Sequence, residues 1–244
     1  RLDDRRLWWV GNPAFPCVGY LDQDAAARAL GGPAIETLAT FARRQVATFY
    51  ETSAFEQGKA TAGEAWFAEK QLPRPERQCL HSALFPDRRE IYLVRDFRDM
   101  VASILSFNRK RGHLSFGRSP DDDDDRYMVK LAGAIEELMQ AYRGAGEQGM
   151  LVRYEDLVRQ PGAVLARILE CLGLERSDAR IQAMLRAAAE TEPDAREAHR
   201  TSSDALSSIG RHRRDLSPQL IDRCDALFGS ALAACGYTVP AGKA

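Results

Sequence analysis

The sequence predicts a layered α/β fold, with a mostly parallel sheet flanked by helices, on two observations. Residues 91–94 and 150–154 are short, mostly apolar runs of the kind that form buried parallel strands. Segments with the helical spacing of apolar residues lie between these runs and after the second one. Strands that alternate with helices are typical of a parallel sheet covered by helices.

The elements before the first strand are predicted in order. Residues 1–34 are rich in Gly, Pro and aromatic side chains, which indicates irregular or partly extended structure. Apolar residues with helical spacing predict a helix over residues 35–50. A short extended segment is predicted over residues 65–68, and residues 79–85 form one or two helical turns that Pro86 stops.

A helix follows the first strand, and a loop is predicted over residues 112–125. This loop contains five consecutive aspartates, which we interpret as a solvated, mobile surface segment. Calcium binding is the alternative, but consecutive aspartates lack the spaced ligands and the turn glycine of a calcium loop.

The remaining elements are helices on either side of the second strand. One is predicted over about residues 129–142, and a second begins at Pro161 and ends with Gly173 as its C-cap. Ser177 is the expected N-cap of the next helix, and Ser217 that of the last.

Composition excludes several functional classes. With 34 basic and 35 acidic residues the net charge is -1, which gives no electrostatic basis for nucleic-acid binding. The five cysteines and four histidines are scattered, without a metal-ligand spacing or a disulfide framework. No apolar run is long enough to span a membrane, and no signal-peptide pattern opens the chain. We therefore expect a reducing, cytoplasmic location and no metal.

Charged and hydroxyl residues follow the first strand in the order Arg95-Asp96-x-Arg98-Asp99-x-x-x-Ser103. An arginine that ends a buried parallel strand points to the carboxyl edge of the sheet, where open α/β folds bind ligands. Its guanidinium suits a phosphate, to which a serine on the next helix adds a hydroxyl. Alternatively, both arginines pair with the two aspartates at the helix start. Spacing alone leaves both interpretations open.

Two further segments carry candidate binding residues. Tyr154-Glu155-Asp156 follows the second strand, and its acidic residues would orient the backbone or form a solvated turn. Gly210-Arg211, followed by more basic residues, precedes a capped helix and offers cations and backbone donors on a loop. Taken alone, such arginines also fit an ordinary solvated surface.

In this order and spacing, the three segments resemble the phosphonucleotide-binding motifs of bacterial sulfotransferases. The resemblance covers about residues 66–237. It implies that Arg95 and Ser103 contact the 3′-phosphate of the sulfuryl donor. Tyr154 would approach the adenine, and the loop at Gly210 and Arg211 would close over the 3′-phosphate.

The resemblance also implies an activity and a fold. Sulfotransferases are P-loop-like three-layer domains, here over residues 1–244. They move a sulfuryl group from 3′-phosphoadenosine 5′-phosphosulfate (PAPS) to an acceptor hydroxyl or amine, and leave 3′-phosphoadenosine 5′-phosphate (PAP). Glu69 would be the general base and Lys70 would assist the leaving group, although this pair also fits an exposed ion pair. His81 and His113 are the next candidates for the base.

The acceptor would be a small molecule, sugar, lipid or peptide. Variable loops line acceptor pockets in such enzymes, here residues 1–34 and 108–126.

The sequence departs from the family pattern in three places. The Pro-Arg-Ser-Gly-Thr-Thr-like turn that holds the 5′-phosphosulfate is not found, and Gly11-Asn12-Pro13 is a poor substitute. We therefore expect the domain to be incomplete at its N-terminus. His212 stands where the family often has Trp, and Gln71 follows Lys70 where Thr-Pro is usual.

Two rival functions follow from these departures. One is a sulfotransferase-like module that binds a nucleotide or a partner without catalysis. The other is a P-loop kinase or GTPase, which would need a Gly-Lys-Ser/Thr turn and a magnesium-binding aspartate at a strand end. The strand ends carry Arg95 and Tyr154 instead, which disfavours the second rival.

Overall fold

The chain divides into two compact units. One comprises Arg1–Leu72 and Cys79–Pro86, and the other comprises Pro73–Gln78 and Asp87–Ala244. The structure is a computed structural model that describes residues 23–56 (23–35 by their backbone alone), 68–72, 78, 81–82, 84–190, 201–202 and 204–239.

The long helix of the first unit begins earlier than the sequence predicts. Helix α1 (Gln23–Glu56) continues through Gly31-Gly32-Pro33, so residues 23–34 are helical rather than irregular or extended. The alanine-rich residues before Gly31 have high helix propensity, which outweighs the local breaker signal. Residues 1–22 lie outside the described part of the chain.

Two shorter segments of the first unit are described. Residues 68–72 have no regular secondary structure and are exposed, whereas residues 65–67 lie outside the described part. The predicted helical turns over residues 79–85 are confirmed where the structure describes them. His81 and Leu84 are helical there, and the backbone N–H of Phe85 donates to the carbonyl of His81 at 2.7 Å.

The second unit is mostly helical and contains a small parallel sheet. Its elements in chain order are β1 (Glu90–Val94), α2 (Phe97–Arg111), α3 (Asp124–Ala145), β2 (Gly149–Arg153), α4 (Tyr154–Arg159), α5 (Pro161–Cys171), α6 (Asp178–Glu190), α7 (His212–Asp215) and α8 (Pro218–Ala234), with 3-10 turns at Gly146–Gln148 and Leu206–Ser208.

The two predicted strands pair as expected. β1 and β2 are parallel, in a register that runs from Glu90 opposite Gly149 to Val94 opposite Arg153. Successive side chains of a strand point to opposite faces. Tyr92 and Val94 are accordingly buried, whereas Ile91 and Leu93 are 40% and 57% exposed. The expectation of a buried apolar strand is therefore correct for one face of β1 only.

The core lies on the buried face of β1, where α2, α3 and α8 pack together. Apolar side chains with helical spacing supply it, as the sequence predicts. Phe97 and Phe228 meet edge to face, with ring centroids 6.3 Å apart. The other buried members include Val94, Val101, Ile104, Tyr127, Met128, Ile135, Met139, Cys224 and Leu232.

The aspartate run is ordered by specific contacts, which corrects the prediction of a solvated mobile loop. Helix α3 begins at Asp124 rather than near residue 129, because Asp123 caps it by accepting from Arg126 N. Asp122 is only 5% exposed and accepts from Lys130 Nζ at 2.6 Å and from Ser119 N at 2.7 Å. The hydrogen bond from Lys130 lowers the pKa of Asp122 below its usual range.

The predicted starts of α5, α6 and α8 are confirmed, but α1 and α3 extend to Glu56 and Ala145, beyond the predicted ends at residues 50 and 142, and the C-cap of α5 is Leu172, directly before Gly173. Pro161 is the first residue of α5, and Gly173 has a φ of 65°, which glycine adopts more readily than other residues. Arg180 N donates to Ser177 Oγ at the start of α6. At the start of α8, Ser217 accepts from Leu220 N.

Candidate functional site

Arg95 and Tyr154 lie side by side at the carboxyl end of the sheet. Each follows the last residue of its strand, and those residues, Val94 and Arg153, are partners in the register. The guanidinium carbon of Arg95 is 4.9 Å from the centre of the Tyr154 ring. Pairing of the parallel strands therefore joins two of the predicted binding residues.

Ser208 connects this pair to the segment that precedes Gly210. Arg95 Nη2 donates to the Ser208 carbonyl at 3.0 Å, and Tyr154 Oη is 3.2 Å from Ser208 Oγ. Because the single hydroxyl hydrogen of Ser208 is donated to the Ala205 carbonyl at 2.6 Å, Tyr154 must be the donor to Ser208. Arg95 Nε is buried and has no hydrogen-bond partner in the described part of the chain, so this guanidinium has capacity for another acceptor.

Ser103 and Arg211 meet at a threonine. Ser103 Oγ is 3.1 Å from Thr201 Oγ1, and Arg211 Nη1 donates to the same oxygen at 2.8 Å. Arg211 Nε also pairs with Asp215 at 2.7 Å, and the arginine is almost fully buried. Burial raises the pKa of Asp215, but hydrogen bonds from Arg211 and Arg214 outweigh this effect and lower it overall.

Asp99 holds the loop that carries Arg211. Its carboxylate accepts from Gly210 N at 2.6 Å, from His212 N at 2.9 Å and from His212 Nδ1 at 2.6 Å. The side chain is 1% exposed, and burial alone would raise its pKa. The bonds from His212 and Gly210 reverse that effect, so the pKa of Asp99 lies below its usual range and the carboxylate is ionised at neutral pH.

The two arginines of the first motif have different surroundings. Arg98 donates to both oxygens of Asp96, at 2.9 and 2.7 Å, and to Asp225 at 3.0 Å. The hydrogen bonds that Arg98 donates to Asp96 raise the pKa of Arg98 despite its burial. Arg95 instead contacts Ser208 and Tyr154. The interpretation in which arginines pair with aspartates at the helix start is therefore correct for Arg98 and wrong for Arg95.

Glu155 fixes the start of α2 from the neighbouring strand end. It is buried and accepts from Asp96 N at 2.9 Å and from the hydroxyl of Tyr237 at 2.7 Å. Burial, together with this bond to Glu155, raises the pKa of Tyr237 above its usual range. Glu155 thus orients the backbone, as the sequence predicts, although the backbone group belongs to the segment after β1.

The predicted donor-binding residues form two linked groups in the second unit, Arg95 with Tyr154 and Ser103 with Arg211. Both groups contact the segment between Thr201 and His212. The sequence does not predict the contacts of Thr201. What marks this residue in the sequence is its position in a hydroxyl-rich stretch before Gly210.

Glu69 and Lys70 lie in the exposed segment of the first unit. Gln71 Nε2 donates to Glu69 Oε2 at 2.5 Å.

Within the described part of the chain, no group of three or more His, Cys, Asp or Glu side chains is arranged to hold a metal ion. None of the helices described has the length and apolar character needed to cross a membrane.

A comparison with protein families matches residues 21–178 to the sulfotransferase family. The match covers more than half of the chain and includes Arg95, Ser103 and Tyr154, whereas Gly210 and Arg211 lie beyond it. A comparison with curated proteins gives no match.

Proposed function

Because the chain belongs to the sulfotransferase family, we propose that it transfers a sulfuryl group from PAPS to the hydroxyl or amine of an acceptor. One observation carries the proposal. Arg95 and Tyr154 lie at the carboxyl edge of the parallel sheet and contact Ser208, which is three residues before Arg211, and Arg211 shares Thr201 with Ser103 of α2. That edge is where open α/β folds bind ligands.

Arg95, Ser103 and Arg211 would bind the 3′-phosphate of the donor. Two guanidinium groups and a hydroxyl are the donors that phosphate oxygens accept from most strongly. Arg95 supports this role most directly, because among the residues that the structure describes its buried Nε has no hydrogen-bond partner and its Nη2 donates to a backbone carbonyl. Gly210 contributes through its φ of 72°, which turns the loop so that Arg211 faces Thr201.

Tyr154 would bind the adenine. Its ring already stacks on the Arg95 guanidinium, and its hydroxyl is held by Ser208. A fixed aromatic ring next to a phosphate-binding arginine provides a surface for a purine base.

Glu69 would act as the general base and Lys70 would assist the leaving group. The acceptor oxygen or nitrogen bonds to sulfur, the bond from sulfur to the bridging phosphate oxygen breaks, and the acceptor proton passes to Glu69. Both side chains are exposed, and the only hydrogen bond of Glu69 among the described residues is donated by its neighbour Gln71. The carboxylate is therefore accessible to an acceptor. The acceptor would be a small molecule, sugar, lipid or peptide.

We also propose that the fold is a P-loop-like three-layer domain. In a P-loop-like three-layer domain, helices cover both faces of the sheet. The exposed side chains of Ile91 and Leu93 support this arrangement, because large apolar side chains on an uncovered sheet face would be unfavourable.

The cysteines support a reducing, cytoplasmic location. Cys171, Cys224 and Cys235 are all free thiols. Burial raises the pKa of the Cys224 thiol to about 12, so this thiol is protonated and unreactive at neutral pH.

A second candidate function is nucleotide binding without transfer. The residues proposed for the 3′-phosphate all lie in the second unit, whereas Glu69 and Lys70 lie in the first. The second unit would therefore serve a sulfotransferase-like module that recognises a 3′-phosphorylated nucleotide or a partner.

One experiment separates the two candidates. The full-length protein is incubated with PAPS and a panel of phenols, sugars, lipids and peptides, and the release of PAP is followed by chromatography. Transfer predicts that PAP and a sulfated product appear together with at least one acceptor, and that Arg95→Ala lowers the yield of both. Tight binding of PAP without release of product from any acceptor would contradict transfer and support the binding module.

A further inference from the structure

Thr201 lies where the two residues proposed for the 3′-phosphate meet. Its hydroxyl oxygen is 3.1 Å from Ser103 Oγ and accepts from Arg211 Nη1 at 2.8 Å. Ser103 is on α2, whereas Arg211 follows Thr201 by ten residues on the loop before α7. Two elements distant in the chain thus direct their polar groups to one hydroxyl.

The hydroxyl hydrogens of the cluster formed by Ser103, Thr201 and Arg211 determine what it can still donate to a ligand. Every polar hydrogen of Arg211 can only be donated, so its bond to Thr201 occupies one lone pair of the threonine oxygen. The bond between Ser103 and Thr201 uses one of their two hydroxyl hydrogens. The other hydroxyl hydrogen has no acceptor among the described residues. The cluster therefore has a free donor next to a cation.

The charge at the cluster indicates what would accept that hydrogen. Arg211 pairs with Asp215 through Nε and donates to Thr201 through Nη1, so the guanidinium charge lies next to the Thr201 hydroxyl. A phosphate monoester offers several acceptor oxygens and carries negative charge, which hydroxyl and guanidinium donors complement. A neutral 3′-hydroxyl would satisfy fewer of these donors.

We propose that Thr201 is a further residue of the 3′-phosphate site, where the hydrogen bond between Thr201 and Ser103 is replaced and each hydroxyl donates to a phosphate oxygen beside Arg211. This inference rests on the proposed function. It assigns Thr201 a role in specificity, because the bond it makes exists only when the nucleotide carries a 3′-phosphate. PAP thus gains affinity from Thr201, and adenosine 5′-phosphate does not.

The test compares two nucleotides on four proteins by calorimetry. Thr201→Val removes the hydroxyl with little change of shape, and Thr201→Ser keeps it. Ser202→Ala is the matched control, because it removes a neighbouring hydroxyl that donates to the Asp204 carbonyl. We expect Thr201→Val to weaken PAP binding roughly tenfold, as for loss of a hydrogen bond to a charged group. Binding of adenosine 5′-phosphate should stay unchanged, and Thr201→Ser and Ser202→Ala should match the wild type.

The nucleotides also control for folding, because unchanged binding of adenosine 5′-phosphate shows that the site of each variant is formed. Equal affinity of wild type and Thr201→Val for PAP would overturn the inference while leaving the proposed function intact. Tighter binding by Thr201→Val would overturn it too, and would mean that the hydroxyl occupies the position of a phosphate oxygen. If the wild type fails to prefer PAP, the proposed function fails and the inference fails with it.

Discussion

Asp99 shows how a single buried carboxylate positions Arg211, a residue proposed to bind the donor, through the neighbours of that arginine. Arg211 is flanked by Gly210 and His212, and Asp99 accepts from the backbone N–H of each neighbour. Its third bond comes from the His212 ring. The second aspartate of the Arg-Asp-x-Arg-Asp pattern therefore joins α2 to the loop of the third motif.

Replacing Asp99 with Asn should destabilise the chain and loosen this loop. The amide keeps one acceptor but presents hydrogens where the second carboxylate oxygen now accepts. We expect a loss of about 1.5–3 kcal/mol in the free energy of unfolding, the usual contribution of hydrogen bonds to a charged group. Urea unfolding at neutral pH measures the loss, and a variant as stable as the wild type would contradict it.

The effect of Asp99 on stability should depend on pH. Because its pKa is lowered from 3.8 in the folded chain, its ionised form stabilises the fold fully above that value. The contribution is lost as the pH falls from 3.8 through the lowered pKa. The difference in unfolding free energy between the wild type and Asp99→Asn should thus shrink below that pH. Urea unfolding across the acid range measures this difference, and one that stays constant would exclude the carboxylate as its source.

Replacing Glu69 with Gln should affect turnover and not donor binding. A positioned general base contributes roughly 10²–10⁴-fold to the rate, so kcat should fall by that factor while PAP affinity stays nearly intact. If Glu69 and Lys70 were only an exposed ion pair, stability would change by less than about 1 kcal/mol and turnover would not change. Glu36→Gln, which alters an exposed glutamate of α1, is the control. Wild-type turnover in Glu69→Gln would point to His81 or His113 as the base.

At the scale of secondary structure, the ends of elements were harder to predict than their existence. The sequence shows Ser217, Ser177 and Pro161 as helix starts, because each is a local capping signal next to a helical pattern. The start of α3 was missed because five aspartates resemble a solvated loop. Only the fold shows that Lys130, which follows Asp122 by eight residues, donates to its carboxylate.

The start of α3 gives a prediction about a helix cap. Asp123 accepts from Arg126 N at 2.7 Å, whereas Asp121 is exposed and lies outside the cap. Asp123→Ala should lower the free energy of unfolding by about 1 kcal/mol, and Asp121→Ala should change it by less than about 0.5 kcal/mol. Thermal or urea unfolding of both variants provides the comparison. Equal effects would mean that the cap does not stabilise the helix.

At the scale of the molecule, the sequence predicts the contacts that follow from strand pairing but not those between segments that are distant in the chain. The parallel pairing of the two strands and the proximity of Arg95 to Tyr154 follow from strand ends that share one edge. The contacts of Asp99 with Gly210 and of Ser103 with Thr201 join residues about a hundred positions apart. Local periodicity carries no information about such pairs.

Selectivity for the 3′-phosphate tests the central claim most directly, because Arg95, Ser103 and Arg211, from three separate segments of the chain, are all proposed to bind that phosphate. Calorimetry should be performed with PAP and adenosine 5′-phosphate on the wild type and on Arg95→Ala, with folding checked by circular dichroism. The wild type should bind PAP far more tightly. Arg95→Ala should lose about 1.5–3 kcal/mol of PAP affinity and much less affinity for adenosine 5′-phosphate. Equal affinity of the folded wild type for the two nucleotides would contradict the donor site proposed at Arg95, Ser103 and Arg211.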